Sequence, residues 1–150
     1  MKKFLRIVAI VFIEASVLLA AVALPSTAPK LESHGLKSDF LEYNDQFFYG
    51  ALAKNTTVIW KDLSEYSDMG RTEQRPDGSF VIMVDPKTHV YLQQARMTLF
   101  HEMCHEKNLM NINVVAGSTK KESEGLDGHS GAFDSCMLDI AKRGAFKDLW

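Results

Sequence analysis

The sequence predicts a single α+β domain, and three observations support this prediction. Apolar residues recur at helical spacing between residues 36 and 52 of the 150-residue chain. A β-branched stretch and a pair of extended segments joined by a turn follow between residues 56 and 84. Helical patterns return in the C-terminal half, where the first is apolar around much of its circumference. Helix, strands and helices in this order are typical of a compact α+β fold.

The N-terminal segment differs in character from the rest of the chain. Three basic residues within the first six positions precede an apolar run, Ile7 to Leu24, in which Glu14 carries the only charge. With the A-x-A sequence at Ala21-Val22-Ala23, this layout predicts a secretory signal peptide over residues 1–23. The alternative is an uncleaved membrane anchor, because the apolar run is just long enough to span a bilayer. We therefore expect a secreted, periplasmic or membrane-anchored extracytoplasmic protein.

The charge of the remaining domain argues against nucleic acid as a partner. Removal of residues 1–23 takes away three positive charges and one negative charge, so the formal net charge changes from −2 to −4. A mildly acidic domain has no general electrostatic attraction for a phosphate backbone. The sequence gives no indication of oligomeric state.

Residues 24–35 are predicted to form a linker and residues 36–150 the folded domain. The apolar spacing from Leu36 to Leu52 predicts an amphipathic helix, with Gly50 near its C-terminal end. The next stretch, Thr56 to Trp60, is β-branched and aromatic and is predicted to be a strand.

A β-hairpin is predicted next, as part of a small antiparallel sheet. Pro76-Asp77-Gly78 is a turn signal between two extended segments, Arg71–Gln74 and Ser79–Val84. The second arm is apolar nearly throughout, so we expect it to be covered on both faces.

Two further helices complete the prediction. Asp85-Pro86 predicts a helix start, with Asp85 as the cap, and this central buried helix is expected to continue to about Leu109. Residues 111–128 are polar and glycine-containing and are predicted to be a loop. The last helix is predicted from about residue 129 to Arg143, where Gly144 ends it.

The motif "TLFHEMCHEKN" lies inside the central helix. Since an α-helix advances about 100° per residue, His101 and His105 are one turn apart on one face and can converge on a single ion. Glu102 lies beside this pair, where its carboxylate can reach a water molecule at the ion. Two incidental histidines would leave costly imidazoles in an apolar helix. By contrast, His34 and His89 are predicted to be ordinary structural histidines with hydrogen-bond partners.

A catalytic zinc ion needs a third protein ligand. On a helical wheel, the apolar stripe of the last helix points the same way as His129, so packing this stripe on the central helix would carry His129 towards the other two histidines. Glu122 and Glu124, in the polar run "KKESEG", are the alternative third ligands. We favour His129.

Two stretches, "MTLFHEMCHEKN" and "GHSGAFDSCM", resemble the SprT-like family of zinc metallopeptidases, which includes the Spartan protease domain. The upstream "FFYGALAKNTTVIW" and the hairpin also resemble the lead-in of that family, so the resemblance covers roughly Phe40 to Phe146. The matching positions of the motif are His101, Glu102, Cys104, His105, His129 and Phe133.

The resemblance implies a zincin-like domain that hydrolyses peptide bonds in a protein or peptide substrate. It implies one catalytic Zn²⁺ held by His101, His105 and His129, with Glu102 as general base. In zincins a substrate strand pairs with an edge strand beside the site, and the hairpin from Arg71 to Val84 is the candidate. The alternatives are a catalytically silent zinc-binding module and a membrane-anchored interaction module. Retention of Glu102 favours the enzyme. Three tyrosines are equal candidates for an oxyanion donor: Tyr43, Tyr66 and Tyr91.

The two cysteines, Cys104 and Cys136, are predicted to lie on helices that pack together near the metal. A disulfide is one interpretation for an exported domain. We favour two buried thiols acting as small apolar side chains, because relatives without signs of export also carry a cysteine at the position of Cys104.

Overall fold

The fold of the described residues is α+β, as predicted, with three α-helices and one three-stranded sheet. The computed structural model describes residues 30–115, 129, 131–147 and 149. Several predictions lie outside these residues: the signal peptide or anchor at 1–23, most of the linker, and the alternative ligands Glu122 and Glu124. Among the helices described, none combines the length and the apolar character needed to cross a bilayer.

Helix α1 spans Leu36–Phe47 and is shorter than predicted. A 3₁₀ turn, Leu31–Ser33, precedes it within the predicted linker. The helix ends before Gly50 because the backbone turns there, with positive φ angles of 58° at Tyr49 and 70° at Gly50. The buried side chain of Asn44 stabilises the turn, since it donates to the carbonyl of Leu52 and accepts from its amide, both at 3.0 Å.

The sheet consists of β1 (Thr57–Trp60), β2 (Gly70–Gln74) and β3 (Phe80–Val84), in the order β1-β3-β2. The predicted hairpin is confirmed, because β2 and β3 pair antiparallel. The prediction of an antiparallel sheet is wrong, since β1 pairs with β3 in parallel. Strand β3 is buried along its whole length and takes the centre. The hairpin puts β2 on one side of it, which leaves the opposite side for β1.

The predicted coverage of β3 on both faces is confirmed. Ile82 and Val84 point into the main core with the helices. Val81 and Met83 point to the opposite face and form a second, smaller cluster with Leu63.

Helix α2 spans Leu92–Val115, so both predicted ends are wrong. The predicted start fails because the Asp85 carboxylate accepts hydrogen bonds from the amides of Leu63 at 2.8 Å and Lys87 at 2.7 Å, and so stabilises a turn. At the other end the helix continues through residues 111–115, which we predicted to be loop. The reason is the absence of a helix breaker, because no glycine or proline occurs between Pro86 and Gly117.

Helix α3 spans Gly131–Lys142, so it begins after the predicted start at about residue 129. It ends one residue before the predicted Arg143, with Gly144 at its end as predicted. Gly144 has φ of 87° and donates to the carbonyl of Ala141, while Ala145 donates to that of Ile140. This pair of bonds is the Schellman motif that glycine permits. His129 lies just before the helix, outside its first turn.

The two histidines predicted to be structural have hydrogen-bond partners. His34 Nε2 lies 2.9 Å from the carboxylate of Asp39, which also accepts from Arg96 and so links α1 to α2. The buried ring of His89 lies between the carbonyl of Asp85, at 2.6 Å, and the hydroxyl of Thr98, at 2.8 Å.

Candidate metal centre

Three imidazoles converge at the junction of α2 and α3. His101 Nε2 lies 3.1 Å from His105 Nε2 and 3.1 Å from His129 Nε2. One ligand atom from each of the three rings falls within 4.8 Å of the others. In a tetrahedral site with Zn–N bonds of 2.0–2.1 Å, ligand nitrogens lie about 3.3 Å apart. The spacing therefore fits one metal ion, and the cluster can hold one.

The first two rings come from one helix, and the third reaches them through the packing of α3. His101 and His105 are one turn apart on α2, which presents them on the same face. His129 precedes α3, whose buried side chains Phe133, Cys136 and Ile140 form the stripe that contacts α2.

The ring of Phe133 contacts all three imidazoles of the cluster. Its ring centroid lies 4.7 Å from that of His101 and 4.5 Å from those of both His105 and His129. The imidazole orientations are thus restricted by an apolar side chain on one side.

The electrostatics of the site favour neutral imidazoles at His101 and His105. Burial, followed by the neighbouring His101 and His129, lowers the pKa of His105 to about 4. Burial and then His129 also lower the pKa of His101. Since a metal ion binds the neutral form of imidazole, the cluster is prepared for a cation at neutral pH.

Glu102 is buried between α2 and strand β2, with 4% of its surface exposed. Its Oε2 accepts a hydrogen bond of 2.8 Å from the hydroxyl of Thr72. Burial raises the pKa of Glu102 to about 7, and the hydrogen bond from Thr72 partly opposes this shift. A carboxyl group with a pKa near 7, directly following His101 in the chain, can serve as a general base.

Cys104 and Cys136 form a disulfide, so our preference for two free thiols is wrong. The Cα atoms are 5.8 Å apart, and the bond links α2 to α3 at the level of the histidine cluster. The sequence held a signal for this pairing. Cys136 lies on the stripe of α3 that packs on α2, and Cys104 faces the same contact.

The three candidate tyrosines lie in different environments. Tyr43 is a core side chain, stacked on Phe100 with centroids 4.3 Å apart, and burial raises its pKa to about 12. Tyr91 is 64% exposed. Tyr66 is also exposed, and the guanidinium of Arg71 in strand β2 lies 4.5 Å from its ring centroid.

Gly70 and Thr72 escaped prediction altogether, although both contact Glu102. A Cβ atom on Gly70 would lie 2.8 Å from Glu102 Oε1, so only glycine allows this approach of strand and carboxylate. Neither residue belongs to a recognisable motif, and their role follows only from the position of β2 beside α2.

No protein-family model matches the chain, and a search of curated proteins finds no significant match.

Proposed function

We propose that this protein is a zinc metalloendopeptidase of the SprT-like, zincin type. In this proposal His101, His105 and His129 hold one Zn²⁺ ion, and Glu102 is the general base. The observation that carries it is the convergence of three imidazole nitrogens, with a buried glutamate, Glu102, directly following the first of these histidines on α2.

The donor set of the described cluster suits zinc, one of the transition metals that bind imidazole. Three neutral nitrogen ligands and no carboxylate suit zinc better than magnesium or calcium, which prefer oxygen. Cys104 is not a competing ligand because its sulfur is in a disulfide. Three protein ligands leave a fourth position open, as in catalytic rather than structural zinc sites.

The chain's own residues have separate tasks in the proposed reaction. A zinc ion, when bound, acts as a Lewis acid and makes water more acidic at neutral pH. The carboxylate of Glu102 accepts the proton that water loses and then donates it to the nitrogen of the leaving amine. In the metal-free protein the pKa of Glu102 is about 7, and a carboxyl group of this kind can both accept and donate a proton near neutral pH.

Strand β2 is the proposed place for the substrate. Our prediction named the whole hairpin as the docking edge. Because β3 is the central strand of the sheet, β2 is the strand of the hairpin that lies at an edge. Among the strands of residues 30–115, none pairs with the outer side of β2. An extended peptide can therefore add to this edge through main-chain hydrogen bonds, close to Glu102.

The location outside the cytoplasm remains part of the proposal. The N-terminal apolar segment supports it, and so does the disulfide, because disulfides persist in oxidising compartments and are rare in the cytosol.

The test compares the zinc-loaded wild type with Glu102→Gln, using unfolded casein as the substrate. The amide keeps the size of the side chain but cannot accept the proton, so we expect hydrolysis to fall by about 10²–10⁴-fold with zinc still bound. Glu42→Gln, an exposed position on α1, is the matched control and should keep wild-type activity. Equal hydrolysis by wild type and Glu102→Gln would overturn the peptidase proposal. If zinc remained stoichiometric, the silent zinc-binding module would then be the better description.

A further inference from the structure

We propose that Thr72 is a positioning residue that fixes the carboxylate of Glu102 from the edge strand β2. The inference rests on the proposed function, because it assigns a task to Thr72 in the reaction that Glu102 would catalyse. The hydrogen bonds of the Thr72 hydroxyl go to Glu102, and in this proposal Thr72 acts through Glu102 and does not touch the reacting atoms.

The hydroxyl of Thr72 touches Glu102 at two points. Its Oγ1 lies 2.8 Å from Glu102 Oε2 and 3.0 Å from the main-chain carbonyl oxygen of the same residue. The single hydroxyl proton thus lies between two acceptors of one residue, the main-chain carbonyl oxygen and the carboxylate of Glu102. Because threonine is β-branched, its own χ1 angle is restricted, and the hydroxyl is a rigid partner.

Gly70 confines Glu102 from the same strand. Residues two apart in a strand point to one face, so Gly70 and Thr72 both face α2. Their partners in β3 are Val84 and Ile82, which point into the main core on that face. A Cβ on Gly70 would lie 2.8 Å from Glu102 Oε1 and 2.9 Å from its Cγ. The carboxylate therefore lies between the bare backbone of Gly70 and the hydroxyl of Thr72.

This confinement has a consequence for catalysis. A glutamate side chain loses conformational entropy when its torsion angles are fixed. If Glu102 is already fixed in the folded protein, this entropy is lost on folding and does not add to the barrier of the reaction. Since Thr72 binds Oε2, Oε1 is the oxygen left to accept a proton. A substrate strand on the edge of β2 would lie on the same element that orients the base, so β2 sets the register between peptide and carboxylate.

The experiment uses the zinc-loaded full chain and the variant Thr72→Val, which removes the hydroxyl but keeps the shape. We expect kcat to fall by about 10–100-fold, because a misplacement of about 1 Å costs about that much. KM should stay within about twofold of the wild-type value, because the substitution removes no contact with the bound substrate. Thr72→Ser restores the hydroxyl and should recover most of kcat. The matched control is Thr57→Val, on strand β1, where the hydroxyl contacts Arg75.

A readout independent of activity is the position of the Glu102 carboxylate in crystals of the metal-free variants. We expect the carboxylate to leave its wild-type position in Thr72→Val and to keep it in Thr57→Val and Thr72→Ser. An unchanged carboxylate in Thr72→Val would overturn the inference, whether or not the protein is a peptidase.

The two proposals fail in distinguishable ways. Wild-type hydrolysis that depends on Glu102, together with an unchanged kcat in Thr72→Val, would overturn the role of Thr72 and leave the peptidase intact. Hydrolysis independent of Glu102 would overturn the peptidase, and the crystals would then decide on Thr72.

A second variant covers the case in which Thr72→Val does not fold. Gly70→Ala pushes on Glu102 from the other side, but its Cβ would also lie 2.5 Å from Thr98 Cγ2. Thr98→Ser removes that methyl group and keeps the hydroxyl that binds His89. We expect the double variant to lose kcat with little change in KM, whereas wild-type kcat would overturn the inference.

Discussion

The ring of Phe133 is stacked on the imidazole of His105, with centroids 4.5 Å apart and planes inclined by 28°. The same ring also contacts the other two histidines of the cluster, His101 and His129. One apolar side chain from α3 therefore supports imidazoles from two different parts of the chain. Phe133 is 5% exposed, so it joins the metal centre to the hydrophobic core.

Truncation of Phe133 should destabilise the fold. For Phe133→Ala we expect a loss of about 3–5 kcal/mol in the free energy of unfolding, because a large buried ring leaves a cavity. Urea unfolding of the metal-free protein measures this loss. Leu138→Ala, at a 56% exposed position of the same helix, should change stability by no more than about 0.5 kcal/mol. Similar small effects for both variants would show that α3 does not pack as described.

His129→Ala tests the third ligand. Loss of a direct ligand should weaken zinc binding by more than the about 10–100-fold that follows removal of a supporting group. Competition of the purified protein with a zinc-binding dye measures the affinity. His34→Ala, whose ring contacts Asp39, is the matched control and should bind zinc as the wild type does. Wild-type affinity in His129→Ala would return Glu122 and Glu124 to consideration.

The disulfide should contribute substantially to stability. It closes a loop with a sequence separation of 32 residues, for which the chain-entropy relation gives about 3–4 kcal/mol. The double variant Cys104→Ser and Cys136→Ser should lose about that much in urea unfolding. A reductant should destabilise the wild type to a similar extent and leave the double variant unaffected. Two titratable thiols in the unreduced, denatured wild type would contradict the assignment.

The stability of the metal-free protein should depend on pH through Glu102. Its pKa is about 7 when folded, against an ordinary value of 4.5. The folded state thus favours the protonated form of Glu102. The resulting contribution to the free energy of unfolding is fully present below about pH 4.5 and is lost as the pH rises through about 7. The difference corresponds to about 3 kcal/mol. His105 acts in the opposite sense, because its lowered pKa of about 4 makes its contribution disappear as the pH falls below 6.5.

Glu102→Gln separates the two effects. We subtract the free energy of unfolding of the metal-free wild type from that of the metal-free variant. This difference should be about 3 kcal/mol larger at pH 8 than at pH 4.5, because the variant retains the histidines and lacks the carboxyl group. Urea unfolding across this range measures the difference. For Glu42→Gln the difference from the wild type should stay nearly constant. A pH-independent difference for Glu102→Gln would contradict the raised pKa.

The elements with strong local signals could be predicted from the sequence. The Pro76-Asp77-Gly78 turn gave the hairpin, and Gly144 gave the end of α3. The parallel pairing of β1 with β3 could not be predicted, because the residues from Thr57 to Trp60 favour a strand equally on either side of the sheet. Asp85 misled the prediction of α2, since its carboxylate caps a turn and binds the distant amide of Leu63.

The same limit applies to the candidate site. His101, Glu102 and His105 share one motif on one helix, so their relation is local and visible in the sequence. The helical wheel that points to His129 includes it in the last helix; α3 begins only at Gly131, but the short distance in sequence to Phe133 still brings its ring to the same contact. Thr72 and Gly70 belong to an edge strand, and the residues next to them in the sequence do not indicate which helix this strand packs against.

The disulfide and a metal ion bound by the histidine cluster would close nearly the same stretch of chain, because the segment from His105 to His129 is nested within that from Cys104 to Cys136. Once either closure has formed, the ends that the other must join are already near each other. By thermodynamic linkage, the factor by which oxidation of the cysteines tightens metal binding equals the factor by which bound metal favours oxidation. An exported chain would consequently gain its full affinity for metal only after leaving the reducing cytosol.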